Sequence, residues 1–440
     1  MFCIVLTYLY LCRQKQKIRD MSTAKRLLLS CLLAALSMMI PINVLAQADT
    51  PVPDGKKPFY VNHYGCPTPY YRLNPDDYEG PYAIFLKADR QGKLTELGRD
   101  VMARLDQLRQ NAQGRSGEMM DEGGRMVRSQ IRQMVKRFPE MITDSTYIDI
   151  RCIIQNHNIQ MANEAIVEFA KHCPSQRMSA RSSLRNMSWM NPQDKELLAQ
   201  RTDSLTMARY TSFAMLNTSD TRLMQSLFND QNYVVANIDV IALSKQLYVL
   251  SENIRYTGLP GNTTLDDIFT PEEKHRHWRR QNAWNYICYG NCSLNGGYQA
   301  YMQREPLWNM LHMGDSIMKV DMPVFNIRYT NEGVLLSLAS LMELDRCGVR
   351  TSNLDSLETL GWIDNLIAPP GGRIVMIHYR RDKNDDDPLI KVLFNGHEAR
   401  LPFESDCAPY YHWKDVKRYY LRKLYRYEKT RRSKETDEEQ

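Results

Sequence analysis

Residues 147–172 read YIDIRCIIQNHNIQMANEAIVEFAKH, and the change of pattern inside this stretch decides the fold class. Tyr147 to Ile154 is dense in β-branched side chains and predicts a strand. Asn158 to His172 carries its apolar residues at helical spacing, and Pro174 closes that helix. The same alternation holds upstream. A buried strand at Phe59-Tyr60-Val61 runs straight into NHYGCPTP (62–69). Leu94–Leu108 and Gly124–Arg137 are amphipathic helices, the first with Thr95 as N-cap, the second stopped at Phe138-Pro139. Strand, helix, helix, strand, helix implies an α/β core around a parallel sheet.

Outward from that core the pattern changes. Residues 176–320 are polar, rich in Met and Asn, helical in pattern and without a convincing strand, which predicts a helical insert or cap. The strand signal returns at Pro323–Tyr329, before a helix over Gly333–Leu344. Arg373–Arg380 and Ile390–Asn395, separated by the acidic turn DKNDDD, form a hairpin-like pair. From Lys414 to Lys434 ten Lys and Arg interleave with Tyr419, Tyr420, Tyr425 and Tyr427, the pattern of a solvated basic helix that packs its tyrosines. The expected organisation is therefore a leader (1–46), a first core part (47–175), the cap (176–320), a second core part (321–413) and a tail (414–440).

The 440 residues are 43% hydrophobic and 25% charged, which fits a folded globular protein and excludes collagen-like, coiled-coil or largely disordered chains. The formal charge of +6 is concentrated in residues 1–46, where six basic side chains face one acid; without them it falls by five, to +1. A nucleic-acid partner held by charge is not expected. From Met21, a start that makes residues 1–20 an upstream extension, the chain reads MSTAKRLLLSCLLAALSMMIPINVLAQA. Lys25-Arg26, the apolar run Leu27–Ile40, Pro41 and the small residues Ala46 and Ala48 are the parts of a secretory signal. The apolar run is shorter than the roughly 20 residues that span a bilayer. Export to the periplasm or the cell exterior, outer-membrane association included, with no remaining span, is the expectation. Export permits disulfides. Seven of ten cysteines lie past the leader, so at least one stays unpaired within the chain; Cys288 with Cys292, then Cys152 with Cys173, are the expected pairs. No zinc-type spacing appears, and no metal or cofactor is expected.

Several blocks in order resemble the histidine acid phosphatases, in their multiple inositol polyphosphate phosphatase branch. They are LTELGRDV (94–101), GRMVRSQIRQMVKRFPEMI (124–142), DIFTPEEKHRHWRRQNAWNYICYG (267–290), IRYTNEGVLLSLASLMELD (327–345), and the hairpin from Val375 to APYYHWKDVKRYY (408–420). The resemblance implies a Rossmann-like three-layer α/β sandwich of the phosphoglycerate-mutase-like type with a helical cap, and a site at the carboxyl ends of the strands.

It also implies phosphomonoester hydrolysis through a phosphohistidine. The family's first motif, Arg-His-Gly-x-Arg-x-Pro, stands here as Asn62-His63-Tyr64-Gly65-Cys66-Pro67. His63 holds the nucleophile position, Asn62 and Cys66 replace the two clamp arginines, and Tyr64 puts an aromatic ring where the family has Gly. The third clamp position falls on Gln155, with Asn156-His157 after it. The second catalytic block is Arg328-Tyr329-Thr330-Asn331-Glu332, in which Asn331 replaces the His and Glu332 takes the place of the proton donor. Arg72 and Arg151 are the nearby cations for partial substitution. Cys66 reads as a disulfide partner, an inert buried thiol or a new nucleophile; Glu332 reads as an acid or as a favourable charge at a helix start.

Phosphoryl transfer asks a protein mainly for alignment and charge stabilisation. Each lost charged hydrogen bond to phosphate is worth about 1.5–3 kcal/mol, so three lost arginines weaken the reaction by roughly three to six decades. The residues thus predict an exported pseudophosphatase that binds a phosphorylated or other small molecule in its cleft. The alternative is a working phosphomonoesterase or phytase-type hydrolase whose clamp comes from elsewhere.

Overall fold

In the computed structural model residues 49–438 are described, apart from Pro174, Gln176 and Ser219. The expected leader and the closing role of Pro174 lie outside the described residues.

The first strand, β1 (Lys57–Gly65), is buried along nearly its whole length. Three helices follow: α1 (Asp76–Arg90), α2 (Glu96–Ala112) and α3 (Asp121–Arg137). The expected N-cap of α2 is present, Thr95 accepting a hydrogen bond from the Gly98 amide at 2.9 Å. α1 has no counterpart in the sequence reading, because Gly80 and Pro81 inside it mimic a break. Then come β2 (Tyr147–Cys152) and α4 (Asn156–His172). The next element corrects the reading of residues 176–320 as strandless: β3 (Arg177–Ser182) pairs in parallel with β2. It is a polar edge strand, exposed at four of six positions, so it carries no apolar run for a pattern to catch.

From there the described chain is helical through α5 (Leu184–Met190), α6 (Lys195–Arg201), α7 (Ser204–Leu216), α8 (Thr221–Leu227), α9 (Gln231–Asn237), α10 (Val240–Ile254), α11 (Pro271–Tyr289) and α12 (Arg304–Ile317). The chain re-enters the sheet as β4 (Val324–Tyr329), continues as α13 (Glu332–Met342), then two short helices, α14 (Leu357–Leu360) and α15 (Asp364–Ile367). It finishes with β5 (Arg373–Arg380), β6 (Leu389–Phe394), β7 (His397–Glu398), β8 (Tyr410–His412) and α16 (Trp413–Glu438).

The sheet order is β3-β2-β4-β1-β5-β6-β7, with β8 also on β6. β3, β2, β4 and β1 are parallel, while β5 runs antiparallel to β1 and starts the hairpin with β6. Successive side chains of a strand point to opposite faces, and here both faces are covered. Val61, Ile327, Val375 and Ile377 pack with Val127 and Ile131 of α3 and with Ala165 and Phe169 of α4. Tyr64, Ile374, Met376 and Val392 pack with Ala283 of α11, Leu311 of α12, Leu335 of α13 and Tyr420 of α16. Three layers result, as expected.

A further core joins Phe85 of α1 and Leu105 of α2 to Leu227 of α8 and Leu247 of α10, so the helical lobe draws on two separate stretches of chain. In α16 Tyr420 and Tyr427 are buried and Tyr425 is exposed, the tyrosine packing expected of the tail. The expected disulfides are absent. All seven cysteines from Cys66 to Cys407 are free thiols; burial lifts Cys288 and Cys292 to about 11, and they pack as small apolar side chains.

Candidate active site

Four chain segments meet where β1 ends. Gly65 lies opposite Tyr329 of β4 and Arg373 of β5. The Thr330 amide donates to Gly65 O (2.8 Å), the Cys66 amide to Gly372 O (2.9 Å), and the Ile153 amide to Tyr329 O (3.1 Å). These bonds tie the ends of β1, β2 and β4 to the start of β5, so the residues after each strand converge as the sequence predicts.

His63 stands opposite Ile327 and Val375, on the face covered by α3 and α4. It is 2% exposed, with its ring edge-on to Tyr329 at 5.8 Å, and its Nδ1 is buried without a hydrogen-bond partner. Burial, and then the Arg373 charge, push it down to about 3, so the imidazole is neutral across the physiological range. Gly65 makes the pose available, because a Cβ there would lie 2.8 Å from His63 Cε1.

The residues on either side of His63 in the strand face the other way. Asn62 and Tyr64 alternate to the opposite side of the sheet, and the Tyr64 ring packs into the α11–α13 core. Cys66 is fully buried, and its thiol donates to Pro369 O at 3.1 Å. Burial and the nearby Glu332 carboxyl raise it well above the ordinary thiol range, which makes it the inert thiol among the three readings.

On that same face Arg328 and Arg151 lie side by side in register with Tyr64. Both are held by Asp149: Arg328 Nη2 donates to Asp149 Oδ2 at 2.8 Å, and Arg151 Nε to the same oxygen at 2.9 Å. Both also lie over the Trp189 ring, at 5.6 and 5.7 Å. Arg72 is paired with Asp77 at 2.9 Å. Arg151 is therefore turned to Asp149 and away from His63.

Gln155 and Asn331 have local duties. Asn331 is the N-cap of α13, accepting from the Val334 amide at 2.9 Å. Gln155 stands at the N-cap position of α4 and accepts from Asn158 Nδ2 at 3.1 Å. Glu332, half-buried in the first turn of α13, has its carboxyl raised by burial, with Arg72 and the Tyr70 hydroxyl opposing the shift. Beside it Tyr70 stacks on His157, centroids 4.0 Å apart. His157 is buried with neither ring nitrogen partnered, and burial lowers it to about 4.

The site thus brings Cys66, Glu332, Tyr70 and His157 to the strand ends and leaves His63 on the other side of the sheet from Asn62. The sequence reading missed Arg373. It is opposite Gly65, on the His63 side, its charge acts on both His63 and Cys66, and burial lowers its own affinity for a proton. Only the non-local pairing of β5 with β1 reveals it. A cavity of about 460 Å³ opens elsewhere, between the first turn of α3 and α4, and is lined by Arg125, Arg128, Gln160 and Glu164 among others but by no candidate residue.

This sheet order and helical lobe match the histidine acid phosphatase/phytase fold. The multiple inositol polyphosphate phosphatase of Bifidobacterium longum, in its complexes with inositol hexasulfate and with phosphate, superposes with TM-scores of 0.70 and 0.71. Each match is 12% identical and covers 86% of this chain and 94% of that one. The phytase from D. castellii matches at 0.63, with 12% identity, over 86% of this chain and 82% of its own. No protein-family model and no curated protein matches the sequence. Likeness at this identity is a likeness of fold.

Proposed function

We propose that this chain is an exported, phosphatase-like protein with weak or no phosphomonoester hydrolysis, which binds a phosphorylated or other small molecule less anionic than phytate. One observation carries the reading: the sheet lies between His63 and the arginine pair Arg151–Arg328, and both guanidinium groups are held by Asp149. A transferring phosphoryl group needs several cations at once, and the positions that supply two of them in the family hold a buried amide and a buried thiol. Export rests on the Lys25–Ala48 pattern; among the described residues no single helix is long and apolar enough to cross a membrane.

Arg373 supports the second reading. One guanidinium beside His63, with a carboxyl at Glu332 raised toward its protonated form, is the minimum set for a slow phosphomonoesterase. Steady-state hydrolysis of phytate and p-nitrophenyl phosphate by the purified protein separates the two. We expect turnover far below the ~1 s⁻¹ at the low end of ordinary enzymes, unchanged by His63→Ala. Turnover at that scale, lost in both His63→Ala and Arg373→Ala, establishes the second reading instead.

A further inference from the structure

Far along the chain from the strand-end site, the loop before β8 gathers four groups from two segments. Asp406, Cys407 and His412 present one donor atom each, all within 4.8 Å of one another. The Asp406 carboxylate is 2.9 Å from His412 Nε2, and Cys407 Sγ is 3.9 Å from the same nitrogen. On the far side of the ring, His412 Nδ1–H donates to the Asp387 carboxylate at 2.8 Å to each oxygen. That bond fixes the ring so that Nε2 aims at Asp406 and Cys407. A carboxylate holding Nδ1 while Nε2 faces an acid and a thiol is the arrangement in which zinc-ligating histidines are oriented.

We propose that Asp406, Cys407 and His412 bind one divalent transition-metal ion of the zinc type, with Asp387 orienting His412 and water completing the coordination. Zinc bonds to N, O and S of about 2.0–2.3 Å place tetrahedral donors roughly 3.3–3.6 Å apart, so the two distances to Nε2 need shifts of a few tenths of an ångström, and Asp406 and Cys407, whose donors lie within 4.8 Å of each other, shifts of up to about 1 Å. The loop can make them: Asp406 is exposed, and Cys407 and His412 are half-buried. Ser405 Oγ lies 3.4 Å from Cys407 Sγ and donates its own proton to Tyr410 O at 2.7 Å. The ion replaces two protons, one from the Cys407 thiol and one from His412 Nε2, and no electrons move. The sequence reading expects no metal, because ligands at 406, 407 and 412 with a support at 387 follow no paired-cysteine spacing.

Without metal the same groups form only an imidazole between two carboxylates, and the experiment separates these states. The full chain, purified without a polyhistidine tag and stripped with chelator, is titrated with Co²⁺ and, by competition against a chromophoric chelator, with Zn²⁺. We expect one ion per chain and a near-ultraviolet cobalt–thiolate absorption that vanishes in Cys407→Ser. Asp387→Asn should weaken Zn²⁺ binding about 10–100-fold. In the unaltered protein Zn²⁺ should slow iodoacetamide modification of Cys407 at least tenfold, as read by peptide mass; among the described residues the other six thiols are buried. Binding below a tenth of an equivalent, a cobalt–thiolate band surviving in Cys407→Ser, or no protection of Cys407 overturns the proposal. The outcome is independent of phosphatase activity.

Discussion

At residue scale, three of the positions that the resemblance assigns to catalytic side chains have structural duties in this chain. Asn331 caps α13, Gln155 holds Asn158, and Cys66 fills a fully enclosed point next to Pro369. The sequence offered these positions through motif spacing, but not their duties, since a cap or a buried thiol is a contact and leaves no spacing behind. Reverting such a position is therefore not neutral. Cys66→Arg would place an unpaired guanidinium where the sheet and the Pro369 loop exclude water. We expect it to lower unfolding free energy by about 3–5 kcal/mol, the cost of an uncompensated buried charge, against about 1 kcal/mol for Cys66→Ala. Urea denaturation midpoints of the two variants measure the difference. Equal stability would show that the site is open enough to solvate a cation.

At element scale, what the sequence revealed follows from how each element is buried. β5, RIVMIHYR, is buried on both faces, so its strand character shows as an unbroken apolar run. β3 shows nothing because its side chains meet water on a sheet edge. The parallel core and the hairpin were visible as alternation; the pairing of β5 with β1, and with it Arg373, was not, because register is set by contacts more than 300 residues apart in the chain. Between β2 and β4 the sheet contains the Asp149–Arg328 pair, whose side chains are 4% and 3% exposed. Asp149→Ala leaves Arg328 buried without its partner and should cost about 3–5 kcal/mol. Arg151→Ala removes the more exposed of the two cations and leaves the buried pair intact, so it should cost under about 1 kcal/mol. Thermal or urea unfolding of both variants tests the asymmetry; equal losses would mean that Arg151, not Arg328, is the partner that stabilises Asp149.

At the scale of the whole molecule, the fold is built around neutral histidines. His63 and His378 are lowered to about 3 and His157 to about 4, in each case first by burial. A histidine whose folded-state affinity for protons is depressed contributes stability that is complete above its unfolded value near 6.5 and is lost as pH falls toward the folded value, because the unfolded chain binds the proton first. Each such group takes up to about 1.4 kcal/mol per pH unit. Together they take roughly 4, against a total stability of about 5–15 kcal/mol. Glu332 and Asp364, raised by burial, act in the opposite sense: their contribution is complete below the ordinary carboxyl range and fades as pH rises through it. As pH falls toward the ordinary carboxyl range, these two carboxyls offset part of what the three histidines lose. Stability should therefore fall from pH 6.5 to 4.5, the range in which an acid phosphatase would have to work. Urea midpoints across pH 4.5–7.5 read this directly, and His378→Phe isolates one proton's share. That ring is fully buried, 4.9 Å from Tyr60 and 4.7 Å from Trp413, so an aromatic hydrocarbon suits the space. Whatever the variant does to absolute stability, its slope between pH 6.5 and 4.5 should be shallower by about 1.4 kcal/mol per unit. An unchanged slope would mean that His378 is already charged in the folded protein, with water or Asp315 reaching it through the α12–α16 contact.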